Sequence, residues 1–206
     1  MRILIVGAGA LGGLVGACLT RAGADVTLLE ANAARARLLN EAGLQITQAG
    51  QEELCVPVRV VTSVEGLPAF DLVFIAVKTY QTEAAVLEVM PAVGPGTRFL
   101  SMQNGIGNAE TIARLAGPFR VLCGITYHSI QHAGPGRLQY RAGIKPIQIA
   151  PFTGSITPET EAIGELFRGA GFDTNVVPNI DHTVWQKLLH NAVVNPTSAV
   201  TGLTCR

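Results

Sequence analysis

Three features of this 206-residue chain predict an α/β fold. First, residues 1–30 read as strand, glycine-rich turn, helix and second strand. Second, short apolar runs keep alternating with helical patterns as far as residue 177, the order that builds a parallel sheet covered on both faces. Third, the pattern changes at Pro178-Asn179, and residues 181–195 begin a long helix of a different style. The expected architecture is a Rossmann-type doubly wound parallel sheet followed by the start of an all-helical second domain. Its boundaries are a dinucleotide-binding sheet domain over 1–178 and the first helix of the helical domain, apparently truncated, over 179–206.

Residues 3–6 (ILIV) form a short buried strand, and an apolar helical pattern fills 11–20 until Gly23 stops it. Residues 25–29 (DVTLL) make the second strand, ending at Glu30. A helix over 32–40 breaks at Gly43, and 56–61 reads as a strand. Residues 72–77 (LVFIAV) are a solid apolar run, typical of a parallel strand covered on both faces. A helix over 82–90, a strand over 98–102, a helix over 109–116 and a strand over 121–126 follow. The glycine-rich stretch 128–150 holds two extended pieces, RLQY and PIQIA, read as a hairpin. A helix over 158–170 and a strand over 173–177 close the domain.

Composition narrows the function classes. The chain is 48% hydrophobic and 15% charged, with 15 basic against 15 acidic residues, enough apolar material for a sizeable core. This neutral balance, without basic runs, gives no reason to expect a nucleic-acid partner. Cys18, Cys55, Cys123 and Cys205 are widely spaced, so neither a metal site nor a disulfide framework is expected, and a reducing cytoplasmic compartment is. Residues 3–20 are uncharged and nearly of membrane-spanning length, with Gly12 and Gly16 in a GxxxG pair. Glycine is too dense there for one good helix, and a second strand follows at once, so no membrane partner is expected. A thin basic start at Arg2 and no small-residue cleavage site oppose a secretory signal. His128, His132, His182 and His190 are scattered and read as structural or incidental.

The chemistry-bearing residues fall into three groups. Gly7-Ala8-Gly9-Ala10-Leu11-Gly12 follows a strand and opens a helix, with Glu30 at the end of the next strand. In that context the motif predicts dinucleotide binding: Gly7 for the tight turn, Gly9 for close approach of a pyrophosphate, Gly12 for helix–strand contact. The anion would rest on the helix N-terminus, where free N–H groups and the dipole favour it. Lys78 and Asn104 each follow a predicted strand, at the end of the sheet where such folds bind ligands. Lys78 could bring charge to the cofactor or substrate and Asn104 could bridge ribose or nicotinamide. A surface lysine and a turn asparagine are the plainer alternatives. Finally, Lys187, Asn191 and Asn195 are spaced i, i+4, i+8 on the last helix. One ammonium and two amides among apolar neighbours suit a small polar substrate. Ketone reduction needs a proton at oxygen, and Lys187 is the evident donor, with Asn191 and Asn195 holding the lysine and binding substrate. The plainer alternative is a snorkelling lysine, with Asn195 ending the helix before Pro196.

Together GAGALG, VKTYQ, QNGIGN and WQKLLHNAVVNPTSA, at 7–12, 77–81, 103–108 and 185–199, resemble the ketopantoate reductase (2-dehydropantoate 2-reductase) family across essentially the whole chain. The resemblance implies NADP(H)-dependent reduction of ketopantoate to pantoate for pantothenate and coenzyme A, in a cleft between a Rossmann domain and a helical domain. It implies Lys187 as general acid, Asn191 and Asn195 on substrate, and Lys78 and Asn104 on cofactor or substrate. Two departures qualify it. Where many members carry an arginine for the 2′-phosphate, this chain reads Glu30-Ala31-Asn32, which suits the free ribose hydroxyls of NAD(H); Arg35 and Arg37 are expected one to two helical turns away. The family's helical domain is also longer, its serine and glutamate substrate ligands would lie beyond Arg206, and Cys205 stands near where an asparagine ligand is usual. The apolar side of 185–200 is therefore expected to be partly uncovered. The partner expected is a small 2-keto acid, and a homodimer is compatible with the pattern. Alternatives are a D-2-hydroxy acid dehydrogenase on the same scaffold, acting on mandelate-like substrates, and a non-catalytic dinucleotide sensor.

Overall fold

A computed structural model describes residues 1–203. In chain order it contains β1 (Arg2–Val6), α1 (Ala10–Arg21), β2 (Asp25–Leu29), α2 (Ala33–Ala42), β3 (Leu44–Gln48) and β4 (Glu53–Val56). Next come β5 (Arg59–Val61), β6 (Phe70–Ile75), α3 (Thr82–Val89), β7 (Val93–Ser101), α4 (Asn108–Ala116) and β8 (Val121–Ile125). The last are β9 (Ser129–Gly134), β10 (Arg137–Arg141), β11 (Ile147–Pro151), α5 (Pro158–Gly169), β12 (Thr174–Val176) and α6 (Asp181–Thr201).

The main sheet runs β12-β11-β8-β7-β6-β1-β2-β5. From β5 to β8 every pairing is parallel; β11 joins β8 antiparallel and carries β12. Numbering only the parallel strands gives the order 3-2-1-4-5-6, which reverses between β1 and β6. Strand periodicity builds two cores from alternate residues of the same strands. Ile3, Ile5, Leu28, Leu72, Phe74 and Leu100 face α1 and α5. Their neighbours Leu4, Val6, Leu29, Val73, Ile75 and Phe99 face α3 and α4. Such double burial explains the unbroken apolar runs.

The expectation fails in the middle of the chain. The strand read over 56–61 is two strands, because Pro57 has no N–H to donate to a ladder and the chain changes sheet there. β4 joins a second sheet, ordered β4-β3-β10-β9, which lies on α1 through Leu44, Ile46 and Leu138. Gly13 admits this contact, since a Cβ there would lie 2.9 Å from Leu138. The expected hairpin is also re-paired: RLQY pairs with β9, whereas PIQIA crosses to the main sheet beside β8. α6 does not stop at Asn195 but continues past Pro196 to Thr201. Among the described residues no helix is long and apolar enough to cross a membrane.

Candidate active site

The carboxyl ends of β1, β6, β7 and β8 bring the candidate residues to one edge of the sheet. After β1 the chain turns at Gly7, whose φ of +97° is left-handed and whose N–H donates to the Leu29 carbonyl at 2.9 Å. Gly12 is closed in: a Cβ there would collide with the Gly7 carbonyl and press Ala76 and Ile5 at 3.0 and 3.1 Å. At Gly9 a Cβ would meet nothing within 4 Å, and no side chain caps α1. The protein's own packing therefore demands Gly7 and Gly12 but not Gly9. Open space over uncapped helix N–H groups is what a bound pyrophosphate requires.

Glu30 ends the strand beside this loop. Its carboxylate accepts the Asn32 N–H at 3.0 Å and faces the Arg35 guanidinium at 3.7 Å. Arg35 bends back over the loop and donates to the Ala8 carbonyl at 2.6 Å. The expectation that Arg35 lies a turn or more away thus needs correction: its long side chain spans the gap that its backbone position leaves. Arg37 points outward to Glu41 at 2.7 Å.

Across the loop, Gln103 joins the ends of β6 and β7. Its amide donates to the Val77 carbonyl at 2.8 Å and to Thr82 Oγ1 at 2.9 Å, and its oxygen accepts from Ser101. The Asn104 carbonyl accepts from Asn108 Nδ2 at 3.2 Å and from Thr79 Oγ1 at 3.3 Å. Lys78 is exposed on the turn and does not line the cleft beyond it.

That cleft has a volume of about 190 Å³. Asn104, Lys187 and Asn191 line it together, so three of the expected residues converge. Lys187 is half-buried; its Nζ donates to the Thr126 carbonyl at 2.5 Å and sits 5.4 Å from the Tyr127 ring centroid. Burial pushes its ammonium below the ordinary lysine range. Asn195 does not join them and is exposed. The reason is helical drift: two steps of four residues turn about 80° away from Lys187, so an i, i+8 pair does not share a narrow face. Cys123 also lines the cleft, but burial, with Glu110 and Asp181 adding to it, pushes its thiol up to about 12. A thiol so held stays protonated at neutral pH and is no nucleophile. Sequence reasoning named Arg35 but placed it too far away, and it missed Gln103 and Thr126. Only Gln103, beside the asparagine motif, left a signal that could have found it.

The strand order, the glycine turn and the strand-end cleft define a Rossmann-type α/β protein. Residues 3–154 match the family described as ketopantoate reductase PanE/ApbA. A 2-dehydropantoate 2-reductase of Pyrococcus horikoshii is 36% identical over 97% of this chain and 64% of its own length. One from Archaeoglobus fulgidus is 33% identical over the same shares. The crystal structure of 2-dehydropantoate 2-reductase from Geobacter metallireducens superposes with a TM-score of 0.89 at 31% identity, covering 98% of this chain and 66% of that one. A D-mandelate dehydrogenase solved with NADH shares the fold, with a TM-score of 0.89 at 22% identity. The chain belongs to the ketopantoate reductase family. It spans 64% of the length of the two archaeal relatives.

Proposed function

We propose that the protein reduces a small 2-keto acid, ketopantoate, to its 2-hydroxy acid with NADPH. The observation that carries this reading is the half-buried Lys187 ammonium, held at the sheet's carboxyl edge in one cleft with Asn104 and Asn191. Gly7 to Gly12 and the uncapped N–H groups of α1 would hold the dinucleotide, which when bound would supply the hydride. Lys187 gives its proton to the keto oxygen as the hydride reaches the carbon, so the carbonyl becomes a hydroxyl and the lysine is left neutral. A depressed pKa makes that proton easier to release, the adjustment general acids need. Asn191, one turn along α6, holds the substrate beside the lysine, and Asn104 takes the nicotinamide end. Gln103 keeps the two strand-end loops in register.

Arg35 supports NADPH over NADH. Its guanidinium spans the gap between Glu30 and the loop, where a 2′-phosphate could take the place of the carboxylate. Glu30 is already engaged by Asn32 and Arg35, so it is a poorer ribose acceptor than the sequence alone suggests. The test is consumption of NADPH by the purified chain on addition of ketopantoate. Loss of this activity in Lys187→Ala, with NADPH still bound, is expected. Equal activity of wild type and Lys187→Ala would defeat the proposal.

A further inference from the structure

Lys187 is held by main chain and ring atoms of the turn that leaves β8, and that turn is itself fixed by a histidine. His128 Nδ1 lies 2.8 Å from Thr126 Oγ1, and the same oxygen accepts the His128 N–H at 3.3 Å. A hydroxyl oxygen accepts up to two hydrogens and donates one, so the neutral ring shares one hydrogen bond with Thr126 Oγ1 in either tautomer. Burial lowers the pKa of His128 and keeps it in that state. The ring is packed on two sides, edge-on to Phe172 at 5.5 Å and stacked on Tyr140 at 6.4 Å. It thus ties the end of the main sheet to the second sheet and to the turn after α5. Thr126 and Tyr127 then present the carbonyl and ring that hold the Lys187 ammonium.

We propose that His128 is a positioning residue: by locking the Thr126 hydroxyl it fixes the Thr126 carbonyl and the Tyr127 ring, and through them the Lys187 ammonium. This sharpens the reading of His128 as structural or incidental, and its catalytic meaning rests on Lys187 being the proton donor. Other charged or titratable groups around the lysine are Lys145, whose Nζ is 5.3 Å from the Tyr127 ring centroid, and Glu110, Asp181 and Cys123 on the cleft walls. None of them makes the Thr126 bond, so variants of that bond isolate the histidine's contribution.

Two substitutions separate positioning from packing. His128→Phe keeps an aromatic ring against Phe172 and Tyr140 but removes the hydrogen bond. His128→Asn loses the ring but puts a polar atom near the place of Nδ1. The readout is titration of the Lys187 side chain, followed by NMR on protein with isotope-labelled lysine and assigned with Lys187→Arg. In wild type the lysine titrates below its ordinary value. With the carbonyl released, the ammonium reaches water, so in His128→Phe its midpoint rises toward about 10.4, while in His128→Asn it stays near wild type. Thr126→Val, which removes the other half of the bond, must behave as His128→Phe does and guards against a folding defect. Where turnover is measurable, His128→Phe is expected to lower kcat about tenfold with unchanged NADPH affinity, at the low end of acid–base effects. An unchanged midpoint in both His128→Phe and Thr126→Val, or an equal rise in His128→Asn, would overturn the proposal. A wild type without keto-acid turnover would instead defeat the assigned reaction, and the titration would still decide the positioning.

Discussion

The two walls of the candidate site are built in opposite ways. The first helix, α1, buries every residue from Gly12 through Leu19, and its glycines are set by contacts with strands on either side. The last helix, α6, has 21 residues and none buried. It meets the sheet edge through a half-buried face that includes Val184, Lys187, Leu188 and Asn191. Its other side exposes Leu189 at 64%, Val193 at 68% and Val200 at 87%, as the apolar pattern led one to expect, and Trp185 stands half exposed at the cleft. The wall proposed to hold nucleotide is therefore preorganised by the hydrophobic core, whereas the wall proposed to donate the proton depends on a few polar contacts. Substitutions in the first should act through sterics and stability, and those in the second through chemistry.

The largest effect should come from the weakly packed wall. Lys187→Ala is expected to lower turnover by about a hundredfold or more, the range of general acid catalysis, with little change in Tm. The pH profile sharpens this. A proton donor works only while protonated, so activity should fall as pH rises through the Lys187 pKa, at a pH below the ordinary lysine value of about 10.4. A falling limb at or above that value would mean the ammonium is solvated.

The nucleotide wall should respond in two distinct ways. Gly12→Val drives a side chain into the Gly7 carbonyl, so a loss of about 3 kcal/mol or more of stability is expected in denaturant unfolding. Gly9→Val puts its Cβ in open space and should unfold like wild type, yet bind NADPH at least about tenfold more weakly by occupying the pyrophosphate's place. Equal Tm losses in the two variants would remove the distinction between a fold glycine and a ligand glycine. Next, Arg35→Ala should weaken NADPH about tenfold and leave NADH nearly unchanged, the scale of one charge-assisted hydrogen bond. Equal losses for both nucleotides would return the arginine to a purely structural role at the Ala8 carbonyl. The smallest contrast lies along α6. Asn191→Ala should raise the keto-acid KM several-fold, while Asn195→Ala, exposed and turned away, should stay within about twofold of wild type. The reverse order would show that the helix presents a different face to substrate.

What was legible in the sequence follows the same division. The glycine turn, Glu30 and the flanking strands are local, so spacing alone recovered them. Helical spacing likewise brought Lys187 and Asn191 together, and erred at Asn195 only because 3.6 residues per turn does not hold an i+8 pair in line. The second sheet was hidden because its pairing is long-range: Tyr140 bonds Gln48 across 92 positions, which no local pattern encodes. Arg35 was misjudged because backbone distance does not reveal where a long side chain turns. The Lys187 anchor could not be read at all, since a carbonyl acceptor is the same for every residue type.

In the proposed function a nucleotide held at the glycine turn extends its nicotinamide into the cleft of Lys187. Trp185, the chain's one tryptophan, lines that cleft and is half exposed, so it reports on a nicotinamide delivered there. The direct measurement is tryptophan fluorescence of the chain titrated with NADPH, beside Gly9→Val. The account predicts saturable quenching in wild type that is lost or shifted to much higher NADPH in the variant. Quenching that is absent in wild type, or identical in the two, would contradict it.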